Sequence, residues 1–333
     1  MNADGHRKIA AILRVLDEAG QPLGGAKIAR ALQVVGIDLE QRMVRKYLEA
    51  MDAEGLTVNL GRTGRRLTER GRQELAATSV IEKIGYVDAR GDELAFKMTL
   101  DLARHSGTVI MNLSTLPAAY LDDAHRHMAA VVRARLGMGR FGLRGGAAVG
   151  VPGLGVAAGQ AVVGTVCSLT YNGLLASAGV PVRSRFGGLL EMRDGRPVRF
   201  THIIHYDGTT LDPMEIFIKA RMTSVGDAAR TGNGVIGASY REVPGIALPR
   251  VHKIARQMEQ AGLGGMLVIG QPSRPLLDIP VDQGRAGFVI AAGLNPIAAV
   301  EEAGIATENR AIARLCEFDT LEPLVSDDSR PPR

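Results

Sequence analysis

From Gly145 to Val182 the chain carries no charged side chain, a length that would cross a bilayer if it formed one apolar helix. The residues forbid that helix. Nine glycines, Pro152 and the polar Gln160, Ser168, Thr170 and Asn172 lie within the run, so no clean apolar stretch of ~20 residues remains. Buried strands joined by glycine turns account for it, and no membrane partner is expected. The 333 residues, 46% of them hydrophobic, are enough for two or three domains with a substantial core. Two cysteines, Cys167 and Cys316, cannot make a disulfide framework, and Met1 leads into the polar Asn2-Ala3-Asp4-Gly5 rather than a charged and then apolar leader. A reducing cytoplasm is the expected location. Trp is absent and aromatics are 4%, which argues against the stacking platforms of single-strand binders. The net charge of +5 permits an anionic partner without requiring one.

The distribution of charge decides more. Residues 1–78 read as three helices, a hairpin and a connecting helix. Ile9, Ile12, Leu13 and Leu16 repeat at helical spacing until Gly20 and Pro22. Ile28, Ala29 and Leu32 mark a second helix ending at Val34-Val35-Gly36. Asp38 and Gln41 form an Asp-x-x-Gln capping box ahead of a third, with Val44, Tyr47, Leu48 and Met51 on one face. Leu56–Leu60, the turn Gly61-Arg62-Thr63-Gly64 and Arg65–Leu67 make a wing, and Thr68 caps a last helix to Ala77. This is a winged helix-turn-helix. The third helix shows Gln41, Arg42, Arg45 and Lys46 near its start, and the wing shows Arg62, Arg65 and Arg66, so both surfaces that meet duplex DNA in that geometry are basic.

Residues 79–325 change to a glycine-rich, Ala/Val-rich composition, and 326–333 read as a disordered tail. Lys97–Ala103, Tyr120–Leu136, Pro213–Ala220, Pro249–Ala261 and Pro296–Glu302 read as helical. Thr108–Leu113, Gln160–Leu169, Leu189–Met192, Val198–Tyr206, Gly234–Glu242, Met266–Ile269 and Gly287–Ala291 read as strands. The order is not strict strand–helix alternation, which favours an α+β sandwich over a doubly wound parallel sheet.

Most chemical motifs here have plainer readings. Gly153-x-Gly155-x-x-x-Gly159 lacks the spacing and following helix of a nucleotide loop. His202 and His205, three apart in a strand, point to opposite faces and cannot share a metal. Asp212-Pro213-x-Glu215 is a helix cap with a reciprocal Glu, and Cys167 reads as a buried inert thiol. No catalytic pair and no metal-ligand set emerges. One absence is informative: between Asp123 and Glu191 there is no Asp or Glu, while Arg126, Arg133, Arg135, Arg140, Arg144, Arg183 and Arg185 all occur. Arg183 and Arg185, alternate residues in an extended Arg-Ser-Arg-Phe-Gly-Gly segment, project the same way and suit a carboxylate. Arg241 at the end of a strand, and Asn295 with the amides of Gly293-Leu294-Asn295-Pro296, complete the candidate effector residues.

Several stretches together resemble the NrpR family of archaeal nitrogen-regulation repressors: Gly164-Thr165-Val166-Cys167-Ser168-Leu169-Thr170-Tyr171-Asn172-Gly173, Arg185-Phe186-Gly187-Gly188, Gly208–Phe217, Gly232-Asn233-Gly234, Arg241-Glu242-Val243-Pro244 and Gly293-Leu294-Asn295-Pro296. The resemblance covers residues 6 to 325. It implies a homodimeric repressor on a double-stranded inverted-repeat operator, 2-oxoglutarate as a small dicarboxylate effector, no cofactor, and a regulatory domain of ferredoxin-like α/β sub-units. Several members carry two regulatory domains in tandem, whereas this chain has room for one. Two other classes are weaker on the residues alone, since no nucleophile-base pair and no chelating spacing of cysteines and histidines is found. One is an enzyme on a small anionic substrate with the N-terminal helices as a dimerisation module. The other is a redox or metal sensor on the same DNA-binding head.

Overall fold

A computed structural model describes residues 3–34, 36–77, 86–145, 156 and 158–325. The chain divides into two compact units, residues 1–85 and 86–333. The expected boundary at 78/79, the tail 326–333, and Gly153 and Gly155 of the glycine motif lie outside the described residues.

In the first unit, α1 (Ala3–Ala19), α2 (Gly25–Val34) and α3 (Gln41–Ala53) precede the hairpin β1 (Thr57–Asn59) and β2 (Arg65–Leu67), and α4 (Glu69–Ala77) follows. The apolar positions that set the helical periods close on one core of Ile12, Leu13, Ile28, Leu32, Val44, Leu48, Met51, Leu56 and Leu67. Each is withdrawn from water, which is what holds so small a unit together. The hairpin is antiparallel with Val58 opposite Arg66. Gly64, at φ 105, is obligatory, since a Cβ there would lie 2.3 Å from the Leu23 carbonyl. Thr68 caps α4 as expected, its Oγ1 accepting from Gly71 N at 3.0 Å. The Asp38–Gln41 capping box is not formed: Glu40 is the N-cap residue of α3 and its side chain makes no capping bond. Leu39 is buried in the core, which fixes the approach of the chain and leaves Asp38 two residues ahead of the cap.

The second unit is an internal repeat. Its first half runs β3 (Thr108–Pro117), α6 (Leu121–Arg133), β4 (Phe141–Leu143), β5 (Gln160–Val166), α7 (Thr170–Ser177) and β6 (Arg183–Arg193), with α5 (Val87–Lys97) before it and β7 (Arg196–His205), α8 (Pro213–Lys219) and α9 (Val225–Thr231) after. The second half runs β8 (Gly234–Pro244), α10 (Leu248–Gln260), β9 (Met266–Ile269), β10 (Arg285–Ala291), α11 (Asn295–Glu302) and β11 (Glu308–Glu317), closed by β12 (Glu322–Pro323). Each half has a strand ending in proline, a short 3-10 turn and a helix of 13 residues. Each then has a strand of 7 residues and a helix of 8. Both 8-residue helices stop at a left-handed glycine, Gly179 or Gly304.

Both sheets are antiparallel. One has the order β11-β3-β5-β4-β12, the other β7-β6-β8-β10-β9. Each half is thus a βαββαβ ferredoxin-like unit with the strand order 4-1-3-2, except that the fourth strands are exchanged: β6 pairs with β8 and β11 with β3. The registers agree. Thr115 faces Glu308 as Glu242 faces Arg183, and Met111 faces Val166 as Ala238 faces Ala291.

Lys97–Ala103 is not helical. The helix there is α5, which ends at Lys97, because its buried face is the spaced and mostly small set Val87, Gly91 and Ala95, and Met98 turns extended. α7 escapes the periodicity reading because six of its residues, Thr170 through Leu175, are buried and no polar face remains.

Candidate functional site

On α3, Gln41, Arg42, Arg45 and Lys46 are exposed and, with Glu49, line one shallow groove. Arg62 and Arg66 are exposed on the wing. Arg65 is not available in the same way. Its Nε donates to Asp52 Oδ2 at 2.8 Å with the arginine side chain only 16% exposed, and Asp52 Oδ1 accepts from Thr57 Oγ1 at 2.5 Å. Backbone bonds in both directions join Arg65 to Leu23. Arg65 is therefore a strut tying the wing to α3, and the basic surface of the wing reduces to Arg62 and Arg66.

The four expected effector residues fall in three places. Arg185 and Arg241 lie on opposite faces of the second sheet. A bulge in β6 between Ser184 and Phe186 lets Arg185 pair with Glu242, which also holds Arg285 at 3.2 Å and is fully buried. Glu242 and Arg241 are successive strand residues, so their side chains leave the sheet in opposite directions. On the Glu242 face, Phe186 stacks on Tyr240 with ring centres 5.1 Å apart. Arg183 is at the surface and pairs with Asp282 at 3.1 Å. Asn295 has no exposed area. Its Oδ1 accepts from Gly237 N, and its Nδ2 donates to Leu136 O and Gly237 O. That amide fastens α11 to β8, and a Cβ on Gly293 would sit 2.1 Å from Val166 O. The turn into α11 is packing, and the expectation that all four residues converge on one ligand is corrected: Arg183 lines a cavity beside Arg241, whereas Arg185 and Asn295 lie elsewhere.

Arg241 is different. It is 1% exposed in the middle of a sheet, and among the described residues no carboxylate lies within ion-pair distance. Nη1 donates to Ser239 Oγ at 2.6 Å and Nη2 to Ser168 Oγ at 3.0 Å, while Nε has no partner. Burial pulls its pKa down from the usual arginine value, opposed by Tyr206, Cys167 and Asp212 around it. Above Ser168 opens a cavity of about 240 Å³ lined by Asp88, Asp92, Cys167, Ser168, Arg183, Ser184, Tyr206, Asp212 and Ile312. Two helices begin at its wall: α7, after Ser168-Leu169, and α8, where Asp212 Oδ1 accepts from Met214 N at 2.8 Å.

The cap on α8 is as expected, but its reciprocal half is not. Glu215 instead accepts from Ala311 N and so anchors the bulge of β11, whose Ile312 sits at φ 51 beside the cavity. Burial pushes the Cys167 thiol up to about 11, which makes it inert as a nucleophile. Burial also raises the carboxyls of Asp212 and Glu215 above their ordinary values. The repeat shows that this cavity is built once. Where the first half has Ser168 and the second Arg241 and Ser239, the related positions hold Gly293, Ser114 and Asn112. Ser168, Tyr206 and Asp212 were not singled out as ligand residues from sequence; their only signal was lying in or beside the stretches that carry the family resemblance. No group of three metal-ligating side chains is present among the described residues.

Residues 84–323 match the family described as NrpR regulatory domains NRD1 and 2. The chain belongs to the NrpR family. Residues 10–75 match the ribonuclease R winged-helix domain. Among NrpR relatives, the global nitrogen regulator NrpRI of Methanosarcina mazei is 32% identical over 96% of this chain and 98% of its own length. The global nitrogen regulator NrpR of Methanococcus maripaludis is 26% identical over 93% of this chain and 54% of its own. That of Methanocaldococcus jannaschii is 27% identical over 97% and 56%, so the chain spans about half the length of these two. A crystal structure titled a nitrogen repressor-like protein from Methanococcus jannaschii aligns with TM-score 0.60 and 25% identity, over 73% of this chain and all of that one. The NrpR relatives are named as regulators, and the enzyme reading is set aside.

Proposed function

We propose that this NrpR-family protein is a transcriptional repressor of nitrogen-assimilation genes. Support comes from relatives named global nitrogen regulators and from a winged helix whose α3 and wing tip both carry exposed arginines. In this reading α3 enters the major groove, Arg45 reads a base edge, and Arg62 and Arg66 hold phosphates. One winged helix covers one half-site, so an inverted repeat requires a homodimer, with the regulatory unit supplying the interface.

The effector is a small dicarboxylate, 2-oxoglutarate, bound in the Ser168 cavity. The observation that carries this is Arg241, a buried guanidinium with an unpartnered Nε and no paired carboxylate, next to an open cavity. A carboxylate there would supply the missing counter-charge. It would touch the starts of α7, α8 and β6 at once, with Ser168 linking it to Arg241 of β8, and a ligand changes the DNA-competent population only through such contacts differing between two arrangements. The test is fluorescence anisotropy of the protein on DNA from its own upstream region, with and without 2-oxoglutarate. Release by 2-oxoglutarate, and no release in Arg241→Met, is the expected result. Wild-type binding that 2-oxoglutarate leaves unchanged overturns the effector assignment, and no preference for that DNA over random duplex overturns the repressor.

A further inference from the structure

The face that α3 turns to DNA in the reading above carries one side chain of the same sign as the phosphates. The buried positions of α3 are Val44, Leu48 and Met51, so the stripe directly opposite the core is Arg42, Lys46, Glu49 and Ala53, at i, i+4, i+7 and i+11. That stripe is the part of the helix that reaches deepest into a groove. Glu49 is exposed within it, and it is the one acid lining the shallow groove that Gln41, Arg42, Arg45 and Lys46 form. Asp38 and Glu40 precede the helix, and Asp52 is held by Arg65.

Nothing within the winged helix accounts for a carboxylate at this place. Arg45 and Lys46 stand four and three residues before it, the spacings at which helical ion pairs form. Arg72 pairs with Glu69, and Lys97 with Glu93, at those spacings, and in both the acid comes first. Here the base comes first, which is the weaker order, and Glu49 makes no ion pair and no hydrogen bond among the described residues. An acid in the second half of a helix also gains nothing from the helix dipole, which favours cations there.

In a major groove this carboxylate would be repelled by the phosphates of both strands, so DNA that offers it no donor is disfavoured. A carboxylate only accepts hydrogen bonds. The donors in that groove are the N4 amino group of cytosine and the N6 amino group of adenine, and adenine sets its N7 acceptor beside the amino group, where a second acceptor is unwelcome. Cytosine fits better. The arginines beside Glu49 suit the O6 and N7 of guanine, so one stretch of α3 matches both bases of a C·G pair.

We infer that Glu49 is a specificity-determining residue, which accepts from the N4 amino group of one cytosine in each half-site. This rests on α3 being the helix that enters the major groove. The test is selection of sites from a randomised duplex library by the full chain, followed by anisotropy on the selected site and on each of its single base-pair substitutions. Wild type should lose about 5- to 150-fold in affinity when one particular C·G pair of the half-site becomes T·A. Glu49→Ala should show no preference at that pair, keep the preferences elsewhere, and bind random duplex more tightly than wild type, since a charge of the phosphates' own sign is gone. Its melting temperature should be unchanged, the site being exposed on a helix. Glu49→Gln should prefer A·T at the same pair, because glutamine pairs with adenine N6 and N7. Discrimination in Glu49→Ala equal to wild type at every pair, or affinity lost equally for all sequences, overturns the role of Glu49 and leaves α3 as the reading helix. A wild type that selects no site overturns the repressor reading and this inference with it.

Discussion

Arg241→Met separates a ligand-binding arginine from a structural one. The guanidinium makes two hydrogen bonds, at 2.6 Å to Ser239 and 3.0 Å to Ser168, and has no paired acid. Bonds from a charged donor contribute ~1.5–3 kcal/mol each, so the pair contributes ~3–6 kcal/mol. Desolvating the cation costs several kcal/mol in the opposite direction. Methionine fills similar length without charge, and the two serine hydroxyls stand 3.3 Å apart, able to satisfy one another. The opposed terms nearly cancel, and stability should change by under ~2 kcal/mol in either direction. The ligand loses a carboxylate partner worth ~1.5–3 kcal/mol, roughly a 10- to 150-fold fall in 2-oxoglutarate affinity. Urea denaturation and calorimetry on one preparation give both numbers. A loss of more than ~3 kcal/mol of stability with dicarboxylate affinity intact would make Arg241 a clamp and refute the reasoning.

Asp212→Asn keeps a capping oxygen for Met214 N and removes a carboxyl that burial holds above its ordinary pKa. Such a group is protonated first in the folded state, so its effect is a fall in stability as pH rises from the ordinary carboxylate value through the raised one; urea melts across that window should be flatter in the variant. Arg62→Ala and Arg66→Ala should weaken specific and random duplex alike and lower the salt slope by roughly one unit per phosphate contact, whereas Arg45→Ala should cost operator binding ~1–3 kcal/mol more than random DNA, both read in salt-titrated anisotropy. Asp52→Ala should free Arg65 and loosen the hairpin by about 1–2 kcal/mol, visible as faster hydrogen exchange at Val58 and Arg66, and unchanged exchange there would remove the strut.

The winged helix was almost fully legible because its helices are amphipathic and its turns are marked by glycine. In the regulatory unit most of the longer strands were legible but their partners were not, and the short β4 and β12 left no signal. β11 was missed altogether: its core positions Ala311 and Ile312 fall at a bulge, which breaks the alternation a strand reading depends on. The candidate ligand residues show the same limit. Arg183 and Arg185 are alternate residues and an extended segment would aim both at one ligand, yet a single bulge sends Arg185 to Glu242. Arg241 could be named from sequence, but nothing local distinguishes it from Arg185; the difference is which of them finds an acid across the sheet.

The exchange of fourth strands also constrains how the chain can be made. During synthesis β3, β4 and β5 emerge together, and the next strand available to cover the open edge of β3 is β6, which would close the first half on itself. In the finished protein that edge belongs to β11, Thr115 facing Glu308 and Ile110 facing Leu315, so the first sheet stays one strand short until nearly the whole unit has left the ribosome. Pairings so distant in sequence form slowly. Meanwhile the bare edge is open to the wrong strand, its own β6 or the β11 of a neighbouring nascent chain. A stop anywhere before Glu317 therefore damages the half that was synthesised first, and a chain that takes its last strand from another copy would be a swapped dimer with every local contact correct.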